Sequence, residues 1–440
     1  MKSDGRAPVA IVGGGFSGTI LAVQLARRGI RSVLIDGSGR AGHGVAYSTT
    51  EPAHLLNVRA EGMSALADDP RHFAARFEQA GGDPKGFAQR RFFGAYLRNL
   101  LAEAVASGLV ELEHRPAVAA EPEEQGWTVQ LDDGAHLHAG ALALANGNQE
   151  PEPLRGLAAA GPRYLNNPWG PAAQAAVAEL ARTGGSAMLI GTGLTMVDLA
   201  LSLDAAGHHG RVVALSRRGQ VPRAHAEFQA APVTSEELPK RLRPLLRWLR
   251  QRSAVAGWRA AIDAVRPYSH AIWQGFDAAE QRSFLRHARA WWDVHRHRIA
   301  PQVAETIARM IAEHRLEVLA GRIIGAQPRG ESLEVEFRRR GGDRTSRECF
   351  DYIFNCTGPL GAIGRTRDPL LRGLLDRGVI KPDHLGIGLA VDADSRVPGA
   401  QGLWALGPLT KGAFWEIVAV PDIRAQAAAV ADHIAKELGQ

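Results

Sequence analysis

Only two cysteines occur among 440 residues, Cys349 and Cys356, with six residues between them. That spacing builds neither a disulfide framework nor a metal knuckle, and it lacks the short-spaced dithiol of a disulfide reductase. Buried, reduced thiols are the expectation. Long apolar runs are missing too: no stretch approaches the length that crosses a bilayer. The opening "MKSDGRAPVAIVGGG" enters a strand without the apolar region of a signal peptide. A cytoplasmic protein without membrane contact is expected. The net charge of +6 comes with no uninterrupted basic tail and no aromatic–basic RNA-binding motif, so nucleic acid is not an expected partner. A phosphate-bearing small molecule accounts for part of that charge more simply. His295 and His297 lie two residues apart, on different faces of a helix, with no accompanying carboxylate–histidine set, so no metal site is expected.

Glycine is plentiful, 49 residues or about a ninth of the chain, in a composition otherwise ordinary for a globular protein. The length allows two or three domains. The glycines cluster where strands run into helices. In "PVAIVGGGFSGTILAVQLARRGIRSVLIDGS" the apolar run Val9–Val12 meets Gly13, Gly15 and Gly18, completing G-x-G-x-x-G. Gly13 permits the tight turn, Gly15 lets backbone approach a pyrophosphate, and Gly18 lets the helix pack on the strand. Phe16 and Ser17 open that helix, whose N-terminus offers free N–H groups and a positive dipole end to phosphate. The next strand, Val33–Ile35, ends at Asp36, where a carboxylate can accept hydrogen bonds from an adenosine ribose. Strand, turn, helix, strand and acid in this order predict a nucleotide site. Whether it takes FAD or NAD the turn alone leaves open.

A second turn lies in "LIGTGLTMVDLALSL". Gly191 and Gly193 keep the first two roles. Met196 stands at the helix-packing position, so this helix is expected farther from its strand than the first one is at Gly18. Leu194 and Thr195 begin the helix, Thr195 with a spare hydroxyl. The following strand, "RVVALSRRG", places Ser216, Arg217 and Arg218 where the first site has Asp36. Arginine there suits a 2′-phosphate through a charge-assisted contact, which predicts NADPH rather than NADH.

Further strands are read in "TVQLDDGAHLHAGALALANGN", ending at Asn146-Gly147, and in "DYIFNCTGP". "GLWALGPLTKGAFWEIVAVPDIRAQ" reads as strand, loop and helix, with Pro421 in the first helical turn. With "GHGVAYSTTEPAHLLNVRAEGMSAL", "SRRGQVPRAH" and "WWDVHRHRIAP", these stretches resemble the two-dinucleotide-binding flavoproteins. More narrowly, they resemble bacterial FAD/NAD(P)-binding proteins that group with flavin-dependent, N-hydroxylating monooxygenases. The resemblance implies that the first turn holds FAD, with Gly13, Gly15, Gly18 and Asp36 on its ADP half. It puts Gly42, Gly44 and Tyr47 along the cofactor, Asn57 and Met63 near the flavin ring, and the backbone of Val118 beside adenine. Gly147 joins the cofactor-binding positions, and Gly407 approaches the flavin pyrophosphate, although many relatives carry Gly-Asp where this chain has Gly407-Pro408. The helix starting near Pro421 would turn its positive end to the flavin and favour the anionic reduced ring.

The expected architecture is α/β, with two Rossmann-like dinucleotide-binding domains. Residues 1–160 and 352–440 form the FAD-binding domain, and an NADP-binding domain, 161–351, is inserted into it. A helical insertion covers about 235–316. Electrons would pass from NADPH to FAD. With no dithiol, oxygen is the leading acceptor. In monooxygenases of this type reduced flavin adds O2 to give a hydroperoxide that oxygenates a bound substrate. The Baeyer–Villiger-type signature is absent. "DYIFNCTGP" has the spacing of the D-x-x-x-[LF]-A-T-G-Y stretch of N-hydroxylating flavoproteins, departing at Asn355, Cys356 and Pro359. N-oxygenation of a small amine or amino acid is the resulting expectation. An NADPH-dependent reductase or dehydrogenase with another acceptor, and a nucleotide-binding protein without turnover, are the alternatives. His225, Lys411, Trp415 and Glu416 are candidate substrate contacts. No residue is identified as catalytic acid or base, and the oligomeric state stays open.

Overall fold

The computed structural model describes residues 7–439. Two large sheets organise the chain, the first all parallel and the second mixed. In the first, five strands run in the order Leu403–Ala405, Ala141–Leu144, Val9–Val12, Ser32–Ile35 and Val110–Glu113. Val9–Val12 lies at the centre, with Ile11 opposite Leu34 on one side and Ala143 on the other. Its residues are apolar on both faces because both faces are covered. Helices Phe16–Arg27, Arg90–Ala106 and Val420–Glu437 pack on one face. A small antiparallel sheet, Ala117–Glu123, Gly126–Leu131 and His136–Ala139, covers the other with helix Pro369–Asp376.

The second sheet has seven strands, ordered Thr345–Phe350, Ser332–Arg339, Leu316–Arg329, Val212–Ser216, Ala187–Ile190, Tyr352–Asn355 and Tyr164–Leu165. Leu316–Arg329 serves two pairings: its first part runs parallel to Val212–Ser216, and its remainder forms an antiparallel ribbon. Helices Pro171–Thr183, Leu194–Ala205 and Pro301–Ala312 cover one face. Proline stands in the first turn of Pro171–Thr183, Pro301–Ala312, Pro369–Asp376 and Val420–Glu437, where a missing N–H costs nothing.

Two expected boundaries shift. Tyr352–Asn355 pairs with Ala187–Ile190, so the chain leaves the second sheet after Asn355 rather than at residue 351. Helix Pro301–Ala312 packs its apolar stripe on the second sheet, so the insertion ends before it. The insertion proper comprises Leu242–Ala256, Trp258–Val265, Ser269–Gly275, Ala278–Ser283 and Arg289–Arg296. It has its own core of Leu242, Leu245, Val265, Trp273, Phe276 and Phe284. Among the described residues no helix is long and apolar enough to cross a membrane.

Candidate functional site: two glycine turns

Gly13 turns the chain at φ +109°, a region that favours glycine. A Cβ there would stand 2.3 Å from the Ala145 carbonyl oxygen. Gly18 is equally confined, since its Cβ would lie 2.0 Å from the Gly13 oxygen. Gly15 differs. It precedes Phe16–Arg27 in extended conformation, and a Cβ on it would meet no atom within 4 Å. Vacant room beside the unpaired N–H groups of a helix start is a cradle for an anionic group.

Two segments close on this turn. Gly42 donates its N–H to the Gly14 oxygen at 2.9 Å. Gly44, at φ +55°, comes so near that its Cβ would lie 2.8 Å from the Gly15 Cα. Tyr47 ends that segment with its ring 4.7 Å from Phe93, and burial pushes its hydroxyl up to about 12. On the other side Asn146 donates from Nδ2 to Asp368 at 3.0 Å, while its buried Oδ1 has no partner among the described residues. Gly147 follows at φ +68° with open space where a side chain would be. The Asp36 carboxylate is buried over Gly14; Oδ1 accepts the Ser38 N–H at 2.8 Å, and Oδ2 accepts no hydrogen bond from the described residues. Val118 sits at the register break between Ala117 and Ala119, which leaves its backbone outside the ladder. The open cradle, the orphaned Asn146 oxygen and the free Asp36 oxygen fit the ADP half of FAD.

Other expected positions have different surroundings. Gly407 packs on Ser17, its Cβ 2.2 Å from the Ser17 Oγ, and donates its N–H to Gln426 Oε1 at 2.8 Å. Its amide is thereby committed within the protein. Met63 is buried in the core under the first helix. The Asn57 oxygen accepts Nε2–H of His225 at 3.0 Å. His225 thus ties the second domain to the first, its ring 4.9 Å from Phe87, and burial pushes its pKa down to about 4.

The second turn repeats the first. Gly191 has φ +118° and a would-be Cβ 2.2 Å from the Cys356 oxygen, whereas Gly193 opens onto space clear to 4 Å. Met196 is fully buried among Leu165, Leu189 and Phe354. The half-buried Thr195 follows Leu194 at the helix start. The Ser216 hydroxyl turns inward, 2.8 Å from Thr192 Oγ1, and accepts the Gly219 N–H at 3.0 Å. It shapes the turn and leaves the cationic side chains outside. Arg217 is exposed. Arg218 donates to the His287 oxygen at 3.3 Å and lies over the Trp291 ring.

Trp415 and Glu416 hold the insertion. Trp415 stacks on Trp273 at 4.9 Å. Buried Glu416 accepts from Trp292 Nε1 and from Arg296 Nε. Both Glu416 oxygens are committed to that joint, whereas the buried Trp415 Nε1 has no partner among the described residues. Lys411 donates to the Leu360 oxygen at 3.2 Å, and burial, with Arg289 nearby, brings its pKa down to about 8. His295 bonds the Trp291 carbonyl at 2.7 Å, and burial pushes the His297 pKa down.

Three residues not anticipated from the sequence join the domains. Arg90 meets Asp198 in a two-point ion pair, Nη2 to Oδ1 at 3.0 Å and Nη1 to Oδ2 at 2.8 Å. Their side chains are 16% and 7% exposed, so the pair is largely out of water. His54 Nε2 lies 2.9 Å from the Asp198 carbonyl, with Nδ1 2.8 Å from Thr49 Oγ1. The available signal was an acid inside the apolar helix Leu194–Ala205.

Residues 10–149 match the family described as FAD-NAD(P)-binding. No curated protein matches the chain in sequence. Among solved structures the chain is similar to L-lysine 6-monooxygenase from Pseudomonas syringae, at 17% identity and TM-score 0.69 over 98% of this chain and 99% of that one. It is similar to the ornithine N-hydroxylase of Kutzneria sp. 744, at 15% and 0.68 over 99% and 100%. It is also similar to bacillithiol disulfide reductase from Bacillus cereus, at 13% and 0.57 over 98% and 99%. Residues 10–149 thus form an FAD-NAD(P)-binding domain, and the chain as a whole has the fold of two-domain FAD/NADP flavoproteins.

Proposed function

We propose that this protein is an FAD- and NADPH-dependent monooxygenase that N-hydroxylates a small amine or amino acid. The repeated cradle carries this reading: Gly15 and Gly193 each open a helix onto vacant room, on two domains tied through Arg90 and Asp198. FAD, when bound, supplies two-electron exchange with nicotinamide and with oxygen. The chain binds and orients. The first helix start and Asp36 hold the ADP half of FAD; the second helix start and Arg217 hold NADPH. Lys411, which donates to the Leu360 oxygen, is kept as a candidate substrate contact. The lysine- and ornithine-oxygenating neighbours support this acceptor class. Disulfide reduction is poorly served, because Cys349 is exposed while Cys356 is buried with its thiol pushed well up.

The test is a screen of amines and amino acids that follows NADPH consumption, oxygen uptake and hydrogen peroxide release together. A substrate should convert peroxide release into coupled hydroxylamine formation. NADPH oxidation that runs equally well without oxygen on another acceptor overturns the reading in favour of a reductase. For the cofactor, Arg217→Ala with Arg218→Ala should raise KM for NADPH at least about tenfold and leave that for NADH within about twofold. Equal effects on both remove the 2′-phosphate role.

A further inference from the structure

We infer that Trp291, carried by the helical insertion, is the platform on which the adenine of NADPH stacks; the inference rests on the NADPH reading of the second turn. Strand Val212–Ser216 ends in a turn fixed by the Ser216 and Thr192 hydroxyls. In an α/β nucleotide domain the ribose lies at this strand end and the base lies beyond it. Beyond it here is the insertion. Arg218 crosses the gap, donating to the His287 oxygen, with its guanidinium carbon 5.8 Å from the Trp291 ring centroid.

Trp291 is 50% exposed, although its neighbour Trp292 is turned inward and bonded to Glu416. A π-helical turn, Phe284–Ala288, stands just before the helix that carries both. Such turns rotate the residues that follow and recur at functional sites. The insertion therefore spends one tryptophan on docking and holds the next outward on the same anchored helix. A large ring left half in water beside Arg218, whose chain neighbour Arg217 is exposed, is matched by a ligand with a flat base and a phosphate. The 2′-phosphate meets Arg217 and Arg218, and the adenine covers Trp291, since any base offers a π face to an aromatic ring.

Calorimetric binding of adenosine 2′,5′-bisphosphate and of 5′-ADP to the FAD-loaded full chain tests this. Trp291→Ala should weaken both ligands about tenfold, and Trp291→Phe should keep both within about threefold. Arg217→Ala should weaken only the bisphosphate. Trp291 is exposed, so both variants should melt with the wild type. If Trp291→Ala binds both ligands as the wild type does while Arg217→Ala loses the bisphosphate, the platform is wrong and the NADPH reading stands. If the wild type binds no bisphosphate, the NADPH reading and the platform fall together.

Discussion

Gly13 and Gly15 stand two positions apart and do opposite work. Gly13→Ala forces a side chain into a left-handed turn and onto the Ala145 carbonyl. It should fail to fold or lose several degrees in melting temperature. Gly15→Ala adds a methyl group where nothing stands, in an extended conformation any residue adopts. It should match the wild type in urea unfolding of the apoprotein yet purify without flavin absorbance. Full FAD content in Gly15→Ala would refute the cradle. His225 gives a pH prediction. Buried against Phe87 and Asn57, and facing Arg298, Arg59 and Asp263, it takes up a proton only near pH 4 when folded. An unfolded histidine does so near 6.5. Between about pH 6.5 and 4 the unfolded chain therefore holds more protons, so stability falls as pH falls through that window. His225→Gln removes this contribution. The melting-temperature advantage of the wild type over His225→Gln should shrink between pH 7.5 and pH 5; a constant gap rules the titration out.

The two glycine turns were legible because each is local: strand, turn and helix lie within about twenty residues, and their chemistry depends on backbone geometry. The replacement of Gly18 by Met196 was legible for the same reason. Met196 is fully buried in the core of the second domain, so a side chain fills the position that Gly18 leaves bare in the first. Met196→Ala should cost about 2–5 kcal/mol in urea unfolding, and Met196→Gly should not tighten NADPH binding. A loss below about 1 kcal/mol would mean that the helix settles onto its strand and closes the space the side chain leaves. The joint that Trp415 and Glu416 make was not legible, for the opposite reason. Their place in the loop before the last helix suggested a ligand. Their partners, Trp273, Trp292 and Arg296, lie more than a hundred residues away in sequence. Nothing in the local pattern announces such a joint. The end of the insertion was blurred likewise, because Pro301–Ala312 is as helical as the insertion before it and only its packing assigns it to the second sheet.

At the scale of the molecule, transfer between two nucleotide sites depends on how the domains are held. The helix whose start forms the second cradle carries Asp198, and Asp198 is bound to the first domain by Arg90 and His54. Arg90 in turn donates its backbone N–H to the His54 carbonyl at 2.9 Å, so all three form one joint. Breaking a buried ion pair from one side leaves the partner charge without compensation and costs about 3–5 kcal/mol. Arg90→Ala and Asp198→Ala should each lower stability on this scale, and the double variant should lose less than the sum. FAD content should persist, because Arg90 does not touch the first turn. Affinity for adenosine 2′,5′-bisphosphate should persist too, because Gly193 and Arg217 are unchanged. The rate at which NADPH reduces the flavin should fall at least about tenfold, since a displacement near 1 Å between donor and acceptor is enough to cost two orders of magnitude. A single variant that binds both nucleotides normally and reduces its flavin at the wild-type rate would show that the joint stabilises the fold without setting the distance between the sites.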